Sequence, residues 1–392
     1  MAKGRKGGLV QKKLNMILYG ESFTGKSTFA SQLAYMHNED GSPMKVLYID
    51  CESGSIDNYL DEMEASGVNL ENIYIIYTSS LAEVLEYIDK VKNGEDFYEL
   101  DDDGNETDIV VIDAEGNPFR ADAMVVDGAS ILHMSVQQGL LEFSKKRAKV
   151  RADKNGSLGE ERLIAIEGSS LEQKDWGTIS YKGQNLILAL QGSGVHSIVT
   201  CREADEKETV RGDDGKFNSV STGKKIPAGF KNIAYNADTV IRFCRDELDN
   251  VIGFVEKDRT GIHPKEALEN PQLSDWQPVI DKSKGRKKFV LKNDLSDAAK
   301  TEQELYAREV MGRASAPVSK EAMEEEMQGV NSVENGSVVD IIAQIKSSIA
   351  KLSATEKSAM KKNLVAAGLP TTYTKITDID VLTKILNIVS GN

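Results

Sequence analysis

The sequence predicts an α/β protein with a mostly parallel central sheet flanked by helices. Short apolar runs alternate with helical patterns along the first part of the chain, which is the order that a parallel sheet with crossover helices requires. The apolar runs are continuous, as in strands that are buried on both faces. A glycine-rich segment, GESFTGKST, lies between the first predicted strand and the first predicted helix.

The elements follow in regular order. Apolar runs predict strands at LNMILYG, MKVLYIDCE and NIYIIYTS. Helical spacing predicts helices at GKSTFASQLAYMH, SIDNYLDEMEASG and SLAEVLEYIDKVKNG. Gly67 and Gly94 end the last two helices, because glycine readily adopts the left-handed conformation found after a helix.

A polar excursion interrupts this alternation at residues 95–121. Its DG and EG turns predict a β-hairpin insertion. The sheet resumes with the strand AMVVDGAS, which precedes a long helical pattern that runs through VQQGLLEFSKKRAKV. A second helical pattern, ISYKGQNLILALQG, leads to the strand VHSIVTCRE. The chain therefore returns to the same sheet after the insertion.

The region that follows is less regular. Residues 203–232 are rich in glycine and lysine and predict a loop. Two alternating stretches, ADTVIRFCRDE and NVIGFVEKD, then predict an antiparallel pair around a turn at Asp249 and Asn250.

Composition divides the chain into parts. We expect a basic N-terminal tail at 1–13, the α/β core at 14–292, an acidic linker at 293–337 and a small helical module at 338–392. Within the module, four isoleucines have the spacing of a helix face that packs into a core: Ile341, Ile342, Ile345 and Ile349.

Charge and cysteine content limit the function classes. The formal net charge of -14 argues against a surface coated with phosphate-binding lysines, although MAKGRKGGLVQKK and KSKGRKKFVLK are locally basic and could each contact nucleic-acid phosphates. Cys51, Cys201 and Cys244 are far apart, so neither a disulfide framework nor a zinc site is indicated. No apolar run is long enough for a bilayer, and we expect a cytoplasmic protein without a membrane partner.

The glycine-rich segment has the pattern of a phosphate-binding loop. Gly20, Gly25, Lys26 and Ser27 match G-x-x-x-x-G-K-[ST], between a predicted strand and a predicted helix. Backbone amides and the helix N-terminus would face the phosphates. Lys26 is expected to reach the β and γ phosphates, and the Ser27 hydroxyl to ligate Mg²⁺. The predicted nucleotide-binding loop comprises Gly20, Glu21, Ser22, Phe23, Thr24, Gly25, Lys26, Ser27 and Thr28.

Hydrolysis also requires an acidic group for the metal and a base for the water. Asp127 ends the strand AMVVD and is the predicted metal-shell aspartate, with Asp113, at the end of IVVID, as the alternative. Asp127 is favoured because a helix follows it, whereas a hairpin turn follows Asp113. Glu52 follows the strand VLYID, where ligands bind in open α/β sheets, and is a candidate catalytic base, although an acid at a helix N-terminus is the alternative explanation.

The segments GESFTGKST, VLYIDCESGSIDNYL and AMVVDGASIL resemble the ATPase core of the RecA-type recombinase superfamily. The chain as a whole is similar to the phage-encoded branch of RecA-like nucleotide-binding proteins associated with single-strand annealing. The resemblance covers roughly residues 14–265. It implies a RecA-like P-loop NTPase core that binds ATP and Mg²⁺, and, for a phage-encoded protein, a location in the host cytoplasm.

The resemblance also implies roles for particular residues. Asp50 and Glu52 match an Asp-x-Glu in which the glutamate activates water, and the magnesium aspartate falls on Asp127. The strand-end sensor that couples the γ-phosphate to a DNA loop falls on Thr200 and Arg202. Bacterial recombinases carry a glutamine-type sensor, so the arginine departs from the pattern at the coupling step.

Two further implications concern partners. Lys257 and Arg259 in VEKDRTG match a pair with which one recombinase subunit reaches into the nucleotide site of its neighbour, so we expect head-to-tail self-association. By position, residues 203–232 correspond to a loop that contacts single-stranded DNA. Its basic and aromatic residues are Arg211, Lys216, Phe217, Lys224, Lys225 and Lys231, interspersed with Glu206, Glu208, Asp213 and Asp214.

The expected function is therefore that of a Mg²⁺-dependent ATPase that acts on single-stranded DNA in annealing or strand exchange. One alternative is a nucleotide-dependent switch or loader whose C-terminal module recruits a replication, recombination or packaging partner without direct DNA binding. Another is a ring helicase or motor built on the same core. Filaments and rings use the same head-to-tail logic, so the sequence leaves the geometry of the assembly open.

Overall fold

The computed structural model describes residues 10–101, 104–211, 217–288, 295–310 and 379–390, and several single positions between 345 and 370. The chain divides into two compact units, Met1–Glu304 and Leu305–Asn392, which are described separately. No helix in the described parts of the chain is long and apolar enough to cross a membrane.

The first unit is built on a central sheet. Its strands and those of the insertion are β1 (Asn15–Gly20), β2 (Val46–Asp50), β3 (Ile73–Tyr77), β4 (Tyr98–Leu100), β5 (Glu106–Val110), β6 (Ala123–Asp127), β7 (His196–Arg211), β8 (Phe217–Pro227), β9 (Thr239–Arg245), β10 (Val251–Asp258) and β11 (Ala267–Glu269). Among the described residues, nine of these strands form one sheet in the order β11-β10-β9-β1-β7-β6-β2-β3, with β8 paired to β7. The pairs from β9 to β3 are parallel. The predicted α/β fold with a mostly parallel sheet is confirmed.

Helices cover both faces of this sheet. The helices along the first unit are α1 (Lys26–Ser31), α2 (Asp57–Ala65), α3 (Leu81–Asn93), α4 (Ala129–Lys154), α5 (Gly159–Glu167), α6 (Gln173–Ser193) and α7 (Gln277–Asp281). Helix α8 (Leu295–Val310) follows them, and α9 (Ile379–Ser390) belongs to the second unit. The helix after the glycine loop is shorter than predicted, because its last part is a 3₁₀ turn, Gln32–Tyr35. Helix α5 was not predicted; it has no buried residue, so no core-facing apolar stripe marks it.

Each central strand is buried on both sides. On β1, Ile17 and Tyr19 belong to one apolar cluster, with residues of α3, α4 and α6. Met16 and Leu18 belong to the other cluster, with residues of α1, α2 and α7. Successive side chains of a strand point to opposite faces, so a strand covered on both sides is apolar at most of its positions. This explains the continuous apolar runs of the sequence.

The insertion at 95–121 contains a small antiparallel pair, β4 with β5. Phe97 and Phe119 flank this pair and are buried in the main apolar cluster. Their ring centroids lie 5.6 and 5.9 Å from that of Tyr74 on β3. Aromatic packing therefore fixes the base of the insertion to the edge of the sheet.

Residues 203–232 are not the predicted loop. Strand β7 continues beyond the sheet to Arg211, and β8 pairs with it from Arg211↔Phe217 to Glu203↔Pro227, forming an exposed two-stranded ribbon. The prediction failed because most side chains of the ribbon face solvent on both sides, so no alternation of apolar and polar residues marks its strands. The antiparallel pair predicted around Asp249 and Asn250 is confirmed as β9 and β10.

The expected linker begins with a helix. Residues 295–310 form α8, whose sequence contains three Ala, three Glu and two Leu, all good helix formers. In the C-terminal unit, Ile345 is buried in an apolar cluster against which Ile349 packs. The other buried members of this cluster are Met360, Leu364, Leu382, Ile385 and Val389. Ile341 and Ile342 lie outside the described residues, as do positions 1–9 of the basic tail.

Candidate nucleotide-binding site

The glycine loop lies between β1 and α1 and depends on glycine at two positions. A side chain at Gly20 would place its Cβ 2.1 Å from the carbonyl oxygen of Phe243 on β9, a contact that no residue with a side chain can make. Gly25 has φ +88°, in the left-handed region, and directly precedes α1. Phe23, at the tip of the loop, is 90% exposed. The loop is therefore packed at its start and open at its tip.

The turn between β9 and β10 supports the tip of this loop. Arg245 Nε donates a hydrogen bond to the carbonyl oxygen of Phe23 over 2.7 Å, and Arg245 Nη1 donates to the carbonyl oxygen of Asp249 over 2.7 Å. The sequence patterns did not identify Arg245. Only the parallel pairing of β9 with β1, which sets Phe243 beside Gly20, shows that it reaches the loop.

Lys26 begins α1 beneath the loop. Its ammonium donates to the carbonyl oxygen of Glu21 and lies 3.4 Å from Thr24 Oγ1. Burial lowers the pKa of Lys26, and the negative charges of Glu52 and Asp127 oppose that shift. A partly desolvated ammonium gains strongly from phosphate oxygens, since the energy of a charge pair rises as water is excluded.

The structure brings Ser27 and Asp127 together. Ser27 Oγ donates to Asp127 Oδ1 over 3.2 Å. The carboxylate is buried and also accepts hydrogen bonds from the hydroxyls of Tyr48 and Ser55, each over 2.7 Å, and from that of Thr200. Burial, together with the charge of Asp127, raises the pKa of Tyr48 well above its ordinary value, so that the phenol stays a donor.

Tyr48 and Ser55 were not identified from the sequence. The sequence placed Tyr48 two residues before the end of a predicted strand, but the register that sets the last residue of that strand, Asp50, beside Asp127 is seen only in the structure. Asp50 accepts amide hydrogen bonds from Glu52, Gly54 and Ser55 at 2.8, 3.1 and 2.6 Å. This carboxylate therefore fixes the loop that carries Glu52.

Asp113, the alternative metal aspartate, lies elsewhere. Its carboxylate forms an ion pair with Lys45 and accepts amide hydrogen bonds from Glu115 and Asn117 at 3.0 and 2.9 Å. Burial opposes ionisation of Asp113, but the hydrogen bonds from Lys45 and the amides outweigh it and lower its pKa. The structure thus brings Asp127 to Ser27 and uses Asp113 to close a turn of the insertion.

Glu52 faces Arg202 across the carboxyl ends of the strands. Glu52 Oε1 accepts hydrogen bonds from both Nε and Nη2 of Arg202, each over 3.1 Å. Behind Glu52 lies Gly128, with φ +106°, where an added Cβ would be 2.7 Å from Glu52 Cγ. Thr200 Oγ1, which contacts Asp127, also accepts a hydrogen bond from the Gly128 amide over 2.8 Å.

Lys257 and Arg259 are not near the glycine loop of their own chain. Gly20, at the loop end of β1, pairs with Phe243 near the end of β9, whereas Asp258 pairs with Thr239 at the start of β9. The two basic residues therefore lie towards the opposite edge of the sheet. There Lys257 Nζ donates to the carbonyl oxygen of Tyr235 over 2.8 Å, and Arg259 lies 3.4 Å from a carboxylate oxygen of Asp238.

A cavity of about 490 Å³ adjoins the loop at Thr28. Tyr35 and Tyr59 line it together with Gln32 and Gln272, and the hydroxyl of Thr28 donates to that of Tyr59 over 3.1 Å. Cavities that bind small ligands have volumes of about 300–1,000 Å³ and combine apolar walls with a few polar groups. The volume of this cavity lies within that range, and its lining combines two tyrosines with several polar side chains.

The oxygen ligands at this site fit Mg²⁺. This ion prefers one or two carboxylates with waters and phosphate oxygens, and the Ser27 hydroxyl and the Asp127 carboxylate are adjacent. Among the described residues, no group of three or more His, Cys, Asp or Glu side chains forms a dedicated metal site. The donor set is therefore that of a metal carried with a phosphate ligand.

A glycine loop between a strand and a helix, with a half-buried lysine and a serine bonded to a strand-end aspartate, defines a P-loop nucleotide-binding protein. The family described as AAA domain matches residues 12–269, and the chain belongs to this family of P-loop ATPases. One solved structure that matches the chain is the KaiC-like protein PH0186 from the hyperthermophilic archaeon Pyrococcus horikoshii OT3. It is 15% identical, with a TM-score of 0.33 over 65% of this chain and 83% of that one. No curated protein sequence matches the chain.

Proposed function

We propose that the protein is a Mg²⁺-dependent ATPase of RecA type that binds single-stranded DNA and promotes its annealing or strand exchange. One observation carries the proposal. Arg202, which is bonded to Glu52 in the nucleotide site, directly precedes the exposed ribbon that starts at Glu203. The nucleotide site and the ribbon therefore share one continuous strand, β7.

The residues of the site can perform hydrolysis. Lys26 would bind the terminal phosphates, and the amides of the glycine loop would wrap around them. Glu52, once released from Arg202, would accept a proton from the attacking water. Mg²⁺, held by Ser27 with Asp127 behind it, would supply positive charge against the phosphate oxygens. Asp50 would keep Glu52 in place through the amide hydrogen bonds of its loop.

ATP is the proposed nucleotide, with its base in the cavity next to Thr28. Tyr59 and Tyr35 offer aromatic surfaces for the base, while Gln32 and Gln272 offer amide groups to its polar edge. Hydrogen bonding of Tyr59 to Thr28 ties this cavity directly to the phosphate loop.

One face of the ribbon suits single-stranded DNA. Residues that pair directly lie on the same face of an antiparallel ribbon. Lys207 pairs with Ser221, Thr209 with Ser219 and Arg211 with Phe217, so that this face carries cations, hydroxyls and an aromatic ring. The opposite face carries the pairs Glu208 with Val220 and Val210 with Asn218. Cations that follow the backbone and a ring that stacks on bases are the features of sequence-tolerant strand binding.

Other basic residues of this segment are placed differently. Lys225 is paired with Glu203 and Asp205 at the base of the ribbon, and Lys224 lies 4.0 Å from Glu206. Lys231 is exposed in the turn that follows, and Lys216 lies outside the described residues. We therefore assign DNA contact to the distal part of the ribbon, around Arg211 and Phe217.

The proposal includes head-to-tail assembly. Lys257 and Arg259 lie at the edge of the sheet opposite the glycine loop, and Arg259 is largely exposed. In a head-to-tail stack this edge would face the nucleotide site of the next copy. An arginine supplied in this way would stabilise negative charge on the transferred phosphoryl group.

The test is ATP turnover with and without an oligo(dT) strand. We expect DNA to stimulate the wild type, and Lys26→Ala and Glu52→Gln to abolish turnover. Phe217→Ala should weaken DNA binding by about 5- to 150-fold, the effect of losing 1–3 kcal/mol of stacking, while Val220→Ala on the other face should not. Turnover that is indifferent to DNA, without strand binding at low salt, would contradict the proposal and favour a partner-recruiting switch. Unwinding of a forked duplex would instead indicate a motor.

A further inference from the structure

Two basic segments that are far apart in the sequence form one surface. Val10 and Lys287 form a parallel β-bridge, and the Gln11 amide donates to the carbonyl oxygen of Lys287 over 3.2 Å. The next amide, that of Lys12, donates to Ser283 Oγ over 3.0 Å. The start of the core is thus held against the segment that follows α7.

The joined segments bring seven cations together. We call them the basic surface: Lys12, Lys13, Lys282, Lys284, Arg286, Lys287 and Lys288. Lys13 and Arg286 are half-buried and the others are exposed. Within the described parts of the chain, no ion pair involves any of them. Lys12 Nζ instead donates to the carbonyl oxygen of Arg259 over 3.3 Å, which extends the positive charge towards that residue.

Nearby acids offset part of this charge, and Glu39 accepts a hydrogen bond from the side chain of Gln11. Glu39 and Asp122 act on Lys13 from a distance, and Asp40 acts on Lys284. Burial, followed by repulsion from Lys288, lowers the pKa of Lys13 in spite of Glu39 and Asp122. His196, fully buried at the start of β7, lies 3.5 Å from Lys13 Nζ, and burial and both lysines hold its pKa well below the ordinary value.

On a chain of net charge -14, these clustered cations have no ion pair with any residue that the structure describes. Clustered like charges repel one another, and an anionic ligand relieves the repulsion and releases its own counterions. A single small anion would contact only a few of these residues. The cations lie along two paired segments, 10–13 and 282–288, so the complementary ligand is a chain of phosphates.

We propose that the basic surface binds the phosphate backbone of nucleic acid, as a second site separate from the ribbon. The two sites lie at opposite edges of the sheet. Lys13 immediately precedes Leu14 and the start of β1, whereas the ribbon continues from the far end of β7, which is parallel to β1. The basic surface does not contain the nucleotide site, and its role does not depend on the function proposed above.

The test compares two triple variants of the full-length protein. Lys284→Gln/Lys287→Gln/Lys288→Gln removes three exposed cations of the basic surface. Lys146→Gln/Lys149→Gln/Lys154→Gln removes three exposed cations from α4 and is the matched control. Anisotropy of a labelled (dT)₃₀ strand and of a 30-base-pair duplex would be followed over a range of salt concentrations. The two probes distinguish single-stranded from double-stranded nucleic acid as the source of the phosphates.

We expect the basic-surface variant to bind less tightly at low salt. The plot of log K against log salt should be less steep in this variant. The magnitude of its slope should decrease by about 2 for the single strand and by about 2.7 for the duplex, because each of the three phosphates that are no longer neutralised accounts for about 0.7 or 0.9. The control should keep the wild-type slope. Equal slopes in all three proteins, with unchanged thermal unfolding, would overturn the proposal.

Two further measurements distinguish a second nucleic-acid site from the ribbon site and from a contact between copies of the chain. Combining the triple variant with Arg211→Gln/Phe217→Ala should reduce binding further than either change alone, because the two sites are distinct. If Arg211→Gln/Phe217→Ala by itself left binding unchanged while the basic-surface variant weakened it, the proposed function would be contradicted and this inference would stand. Light scattering would report the oligomeric state. A change of oligomeric state with no change in salt slope would show that the surface joins copies of the chain, which would also overturn the proposal.

Discussion

Both Nε and Nη2 of Arg202 donate hydrogen bonds to Oε1 of Glu52, each over 3.1 Å. The pair is partly exposed, with 53% of the arginine side chain and 34% of the glutamate side chain accessible. Such a pair stabilises the fold little, because solvent screens it. Its importance lies in position, since it joins the candidate catalytic base to the first residue before the ribbon.

Removal of the arginine tests whether this pair restrains the base. We expect Arg202→Gln to raise turnover without DNA by no more than about fivefold, because an exposed ion pair is worth about 0.2–1 kcal/mol, and to remove stimulation by DNA. Steady-state turnover with and without oligo(dT) measures both effects. Arg211→Gln, which leaves the pair intact, is the control for basal turnover. A variant that keeps full DNA stimulation would show that Arg202 does not couple the two sites.

Gly128 should be indispensable beside Glu52. Alanine there would adopt φ +106° and place its Cβ 2.7 Å from Glu52 Cγ. We expect Gly128→Ala to cost about 1–3 kcal/mol of unfolding free energy, the usual cost of such a backbone conformation, and to reduce turnover. Gly139→Ala is the matched control, because it lies within α4 with open space around it. That change should stabilise the protein by about 0.5–1 kcal/mol.

Denaturant unfolding of both glycine variants would give the two values. The interpretation of Gly128 would be wrong if both substitutions changed the free energy of unfolding in the same direction. Turnover reports separately on Glu52, since Gly139 is remote from the site and its substitution should leave hydrolysis unchanged.

The ion pair of Asp113 with Lys45 predicts a pH-dependent stability. The pKa of Asp113 is lowered in the folded protein, so its contribution is present above the unfolded pKa of about 3.9 and is lost as the pH falls through the folded value. Asp113→Asn should therefore destabilise the protein at pH 7 by about 1–3 kcal/mol, the range for hydrogen bonds to charged groups. The difference from wild type should shrink as the pH falls below about 4.

Chemical denaturation between pH 3 and 7 would follow this effect. Nucleotide binding at pH 7 distinguishes Asp113 from Asp127. Asp113→Asn should leave ATP affinity unchanged, whereas Asp127→Asn should weaken Mg²⁺-dependent binding. The reverse order would reinstate Asp113 as the metal aspartate.

If the cavity beside Thr28 binds the nucleobase, its residues should contribute to binding of ATP but not to binding of the phosphates alone. Tyr59→Ala should weaken ATP binding by about 2- to 13-fold, since aromatic contacts of this kind contribute about 0.5–1.5 kcal/mol. The same change should leave the affinity for inorganic triphosphate unchanged, because Lys26 and the glycine loop remain. Calorimetry with both ligands measures the effect. Tyr59→Phe, which removes only the hydroxyl bonded to Thr28, is the control. Equal losses for both ligands would show that Tyr59 supports the loop instead of the base.

Local patterns in the sequence were sufficient for much of the core. The glycine loop, the strands β1, β2, β3 and β6 and the pairing of β9 with β10 were all predicted, because each depends on residues that are neighbours in the chain. Asp127 could be preferred to Asp113 from the element that follows each of them. The structure accordingly places Asp127, and not Asp113, within hydrogen-bonding distance of Ser27.

The same sequence patterns did not predict the helix and strands whose side chains pack against no core. Helix α5 has no buried residue, and the strands of the ribbon are mostly exposed on both faces. Secondary structure of this kind is stabilised by backbone hydrogen bonds, which have no counterpart in the spacing of apolar residues. For this reason the sequence predicts a loop where the structure has the ribbon.

The sequence by itself determined that a phosphate loop lies between a strand and a helix of an α/β core, since side-chain chemistry and apolar period are local properties. Only the tertiary structure decided which distant residues meet. It set Tyr48 and Ser55 on Asp127, Arg202 on Glu52 and residues 10–13 against 282–288. These contacts follow from strand order and register, which result from packing the whole sheet between its two layers of helices.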